Sequence, residues 1–154
     1  MRRLARYPAR FLALPGAERR LLAEAAATLA LASALLALLP FATAMRLAGL
    51  NARTGTAAAR QDAPAPEAGT TAPAVGAAVA RAARHLPFRA VCLQQAIACT
   101  LMLRRRALPV TVHFGMAKNA AGALDAHAWS VSGGAVVTGA PGRERFTPIA
   151  VFAA

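Results

Sequence analysis

Cys92 opens an apolar stretch whose spacing predicts a helix, and thirty-five residues later His127 stands in Ala126-His127-Ala128-Trp129, which alternates as a strand does. A thiol at a helix N-terminus sits in the positive end of the helix dipole, which favours the thiolate. A histidine presented by a rigid strand can act as its base. Cys92 and His127 are therefore the candidate nucleophile and general base. Either residue alone is equally a packing residue, a small buried hydrophobe or a satisfied strand histidine. The surrounding sequence has to decide.

The helix expected from Cys92 to Arg106 has Leu93, Ile97 and Leu101 four apart, with Ala96, Cys99 and Leu103 beside them, which makes one broad apolar stripe. Arg104-Arg105-Arg106 closes it, where cations suit the negative end of the dipole. Ala74 to His85 reads as a shorter helix, broken by Leu86-Pro87-Phe88-Arg89. After Pro109 the period changes to two. Val110 to Met116 is β-branched and alternating, Lys118 to Gly122 is a loop, and Ala126 to Ser132 alternates again. Gly133-Gly134 is a two-residue hairpin signal, Ala135 to Thr138 pairs back, and Phe146 to Phe152 supplies a last short strand. A helix followed by an antiparallel sheet is an α+β domain.

In this order, Leu86-Pro87-Phe88-Arg89-Ala90-Val91-Cys92-Leu93, the helix ending at the arginine triplet, the strand to Gly115 and Ala126-His127-Ala128-Trp129 resemble one family. It is that of the lasso-peptide B proteins, transglutaminase-like cysteine proteases that remove the leader from a lasso precursor. The resemblance covers residues 75–150 and extends more loosely to residues 15–50. It implies a transglutaminase/papain-like fold, with Cys92 attacking the scissile carbonyl and His127 carrying the proton. Backbone N–H groups at the start of the Cys92 helix are the natural oxyanion donors. Trp129, two residues beyond His127, is either a sheet-face aromatic or a substrate wall.

Two departures from the family stand out. Ala107 occupies a position where the family usually has Gly, tolerable if the backbone there is not left-handed. The family's third catalytic residue is an Asp on the strand after the histidine. Here that stretch reads Val136-Val137-Thr138-Gly139-Ala140, and neither Asp125 nor Glu144 matches the position. Thr138, a backbone carbonyl, or nothing strong would then orient His127. His113 is expected as a strand-face residue and His85 as a helix-end cation.

The chain divides by composition into an Ala/Leu-rich helical segment at 1–50, a flexible Ala/Thr/Pro linker at 51–73 and the chemistry-bearing domain at 74–154. From Ala25 to Met45 there is no charge, a length that could span a bilayer, with Arg19 and Arg20 on its flank. Its alanine content also suits a packed or membrane-peripheral helix, which is the expectation adopted here.

The net charge of +12 comes almost wholly from arginine. No nucleic-acid motif interleaves these arginines with aromatics, so charge speaks to non-specific attraction and solubility, and no nucleic-acid partner is expected. Cys92 and Cys99 lie two helical turns apart, roughly 10 Å, too far for a disulfide. No metal-ligand spacing and no nucleotide-binding loop occurs, so no cofactor is expected. The resemblance implies a cytoplasmic peptidase without the fused leader-binding domain. Its partners would be the precursor peptide, a separate leader-recognition protein and the ATP-dependent lasso cyclase. The competing functions are a non-catalytic scaffold of that assembly and a membrane-anchored interaction protein.

Overall fold

The computed structural model describes residue 11, residues 13–53 and residues 69–154. Helices α1 (Gly16–Leu38) and α2 (Phe41–Leu47) lead into a short strand β1 (Asn51–Arg53). Helices α3 (Thr71–Ala83) and α4 (Cys92–Arg104) follow, and then β2 (Thr111–Lys118), β3 (Leu124–Ser132), β4 (Ala135–Thr138) and β5 (Thr147–Ala153). The five strands form one antiparallel sheet in the order β1-β5-β2-β3-β4. This is the expected α+β class.

Local chemistry sets the boundaries. Ala and Leu are strong helix formers, and they carry α1 to Leu38. Leu39 is extended, at φ −123° and ψ 150°, because Pro40 behind it clashes with helical backbone. Gly133 and Gly134, at φ 57° and 80°, make the tight turn between β3 and β4.

α4 is the central helix. It lies against β3 through small side chains and against α1 and α3 on its other sides. The shared core joins Leu29, Met45, Val79, Ile97, Met102, Leu103, Val110, Val112 and Ala128. The N-terminal helices and the chemistry-bearing part thus share one core.

Asn51–Arg53 pairs with β5, and Thr71 to Pro73 already belong to α3. Ala, Thr and Pro are poor signals here, because edge pairing and the tolerance of Pro in a first helical turn come from context. Residues 54–68 of the expected linker, and residues 1–10 and 12 of the expected helical segment, lie outside the described residues.

The end of α4 is a Schellman closure. Leu108 N–H donates to Leu103 O at 3.1 Å and Ala107 N–H to Arg104 O at 2.9 Å. The residue at the turn is Ala107, at φ 54°. The condition under which Ala would sit comfortably is therefore not met. This is a left-handed position where glycine is favoured, and a Cβ there costs roughly 1 kcal/mol.

Candidate active site

α4 and β3 run in the same direction, because the end of α4 leads into β2, whose first residue Thr111 pairs with Val131 near the end of β3. Cys99 fixes their relative level, since its thiol lies beside the Ser130 side chain. From there Cys92 is two turns back on the helix and His127 three residues back on the strand, each about 10 Å. Both expected residues therefore lie at one end of the molecule, and both are half-buried. No hydrogen bond joins the Cys92 thiol to the His127 ring.

Alternation along β3 turns Ala128 and Ser130 toward the helices and His127 and Trp129 to the other side. β4 pairs with β3 only from Ser130 onward, so beside His127 that edge of β3 has no strand partner among the described residues.

The His127 ring is firmly oriented. Nε2 lies 2.8 Å from the carbonyl oxygen of Gly139. A carbonyl only accepts, so Nε2 is the donor, and in the neutral ring Nδ1 is left as the acceptor. The ring packs on Phe146, with centroids 5.0 Å apart, and on Trp129, with centroids 6.1 Å apart. Trp129 is 3% exposed and stacks on His113 at 5.5 Å and 11°. It is therefore a sheet-face aromatic, not an exposed substrate wall. Gly115, opposite His127 in the register, makes the room: a Cβ there would come within 2.8 Å of Phe146 and 2.9 Å of Trp129.

A backbone carbonyl thus bonds the histidine in the stretch where the resemblance expects a carboxylate. Gly139 is at φ 72°, and a Cβ on it would lie 2.5 Å from the Ala128 carbonyl oxygen, so no side chain fits. Thr138 does not substitute. It is buried, and its hydroxyl is bonded to Ser130 Oγ at 2.8 Å. Asp125 accepts from Asn119 Nδ2 at 3.1 Å, and Glu144 is exposed. Among the described residues no carboxylate hydrogen-bonds to His127.

The start of α4 carries no side-chain cap. Its first amides, those of Cys92, Leu93 and Gln94, have no partner within the helix and can serve an oxyanion. The second cysteine differs in kind: burial pushes the Cys99 thiol up to about 12, so it stays protonated at neutral pH. Both thiols are free. Among the described residues no cluster of His, Cys, Asp and Glu could hold a metal ion. A cleft of about 350 Å³ between α1 and α3, lined by Phe11, Leu14, Leu22 and Leu86, includes neither Cys92 nor His127.

Sequence reasoning missed Gly115, Gly139 and Phe146 as parts of this site. Phe146 was legible only as a strand residue, and a carbonyl that orients a ring leaves no side-chain signal at all.

The family model described as the transglutaminase-like superfamily matches residues 35–151. No curated protein and no solved structure matches the chain. The family match spans most of the sequence, and the chain belongs to the transglutaminase-like superfamily.

Proposed function

We propose that this member of the transglutaminase-like superfamily is a cysteine peptidase that cuts the leader from a lasso precursor peptide. Cys92 Sγ attacks the scissile carbonyl, and His127 Nδ1 takes the thiol proton and returns it to the leaving amine. The first amides of α4 receive the oxyanion, and water then hydrolyses the thioester. The observation that carries this reading is the His127 Nε2 to Gly139 carbonyl bond, which leaves Nδ1 as the acceptor a general base needs. His127 faces away from the helices, so in this reading the ring must swing past the edge of β3 that β4 leaves unpaired to meet Cys92 Sγ when substrate binds.

The partners in this reading are the precursor, a separate leader-recognition protein and the ATP-dependent lasso cyclase, in the cytoplasm. ATP is used by the cyclase. The resemblance of residues 86–129 supports the substrate class. Incubating precursor and leader-recognition protein with wild type, Cys92→Ala or His127→Ala, and reading peptide masses, tests it. Wild type releases the leader, and both variants leave the precursor whole.

A second reading is a non-catalytic scaffold that holds the precursor for the cyclase. Two observations favour it: no hydrogen bond joins Cys92 to His127, and among the described residues no carboxylate bonds to the His127 ring. It predicts an intact precursor with every variant and undiminished cyclisation in a Cys92→Ala complex fed pre-cut substrate.

A further inference from the structure

α1 shows solvent an unusual side. Its inner side, Leu22, Ala25, Leu29 and Ala32, is buried in the core. At 100° per residue the opposite side is Arg20, Ala27, Leu31, Ala34 and Leu38, and all of these are exposed. From Ala27 onward this stripe has no polar group. Leu31 is 49% and Leu38 80% exposed. A surface helix ordinarily turns charge to water, and a continuous apolar face marks a partner.

The helix is long and apolar enough to cross a membrane. Its inner side argues for another placement. Glu24 is held by Arg106 and Glu18 by Arg81, both from helices packed against α1 in the core or the turn beyond them. A span would strip away that core and draw both carboxylates into lipid.

Charge identifies the partner. Leu31 shares shallow depressions with Arg104 and Arg105. Arg105 is 70% exposed and 3.7 Å from Glu24, whose carboxylate Arg106 already holds with both oxygens. Arg20 closes the other end of the stripe. A leucine stripe bordered by cations complements acyl chains beneath anionic headgroups.

We propose that the outward face of α1 docks the protein on the surface of an anionic membrane, with Leu31 and Leu38 in the acyl boundary and Arg20 and Arg105 at headgroup phosphates. The docking is independent of the peptidase reading.

Sedimentation with vesicles of phosphatidylcholine, with and without phosphatidylglycerol, tests it on the full chain. Wild type should co-sediment with the anionic vesicles and be released by high salt. Leu31→Glu with Leu38→Glu should weaken binding by at least about tenfold, and Arg105→Ala by about fivefold. Ile149→Glu, on an exposed site of β5, should bind as wild type does. Circular dichroism checks that each variant is folded. The proposal is overturned if wild type ignores anionic vesicles or if the folded double variant binds undiminished. It is equally overturned if only detergent releases the protein, which marks a span. A dimer in light scattering that the double variant abolishes, without vesicle binding, would assign the face to a second copy.

Discussion

At its C-terminal end α4 is held by three independent ties. Arg104 donates to the Ala48 carbonyl at 2.8 Å, Arg106 grips both oxygens of Glu24 at 3.0 and 2.6 Å, and the Schellman bonds close the last turn. At its N-terminal end no side chain caps the helix, and Cys92 is half-buried. The approach is fastened there by one bond, Gln95 Nε2 to the Ala90 carbonyl at 2.8 Å. Two of the three C-terminal ties come from α1 and the end of α2. The N-terminal helices thus hold the far end of the helix rigid, which leaves the amides beside the thiol open for a ligand. The fastened end and the open end are thus opposite ends of one element.

The most severe way to break this arrangement is to remove its anchor. A chain beginning at Ala74 lacks Leu22, Leu29, Met45 and β1, so it should lose cooperative unfolding and aggregate or remain molten. Circular dichroism melting and gel filtration read this directly. A folded, monomeric fragment would show that the two parts are separable after all.

Next in size is Thr138→Asp, which places a carboxylate in a buried site bonded to Ser130 on the helix side of the sheet. It should cost about 3 kcal/mol in urea unfolding and fail to reach His127. A folded variant with faster cleavage than wild type would mean that the acid does find the ring.

Glu24→Gln loosens the C-terminal end alone. The Arg106 guanidinium holds the Glu24 carboxyl below the ordinary carboxylate range, with smaller help from Arg105. The stability this contributes is present above the ordinary carboxylate pKa and is lost as pH falls through the lowered one. The pair is partly solvated, so Glu24→Gln should cost about 1 kcal/mol at neutral pH and flatten the acid limb of a pH–stability curve. Alkylation of Cys92 should be unchanged.

The smallest effect runs the other way. Ala107→Gly should stabilise the protein by about 1 kcal/mol in denaturant titrations by relieving the left-handed alanine.

The two ends were unequally legible in the sequence. Cys92, the apolar stripe of α4, the arginine triplet and the period-two strands announced the helix, the sheet and the candidate residues, because each depends on local spacing. The Gly133-Gly134 turn was legible for the same reason. Long-range ties were not. Nothing in Arg106 names Glu24 as its partner, and Asn51–Arg53 has no strand signature until β5 lies beside it. The orienter of His127 was hardest to see. A carbonyl is common to every residue, and only the backbone path at Gly139 makes this one meet the ring.

The pairing of Cys92 with His127 is tested most directly by the rate at which iodoacetamide modifies each cysteine, followed by peptide mass spectrometry in wild type and in folded His127→Ala. Cys92 should react in the native protein and slow by about tenfold when the imidazole is removed. Cys99, fully buried, should stay unmodified until the protein unfolds. Equal Cys92 rates in the two proteins would contradict the pairing and leave the thiol without its base.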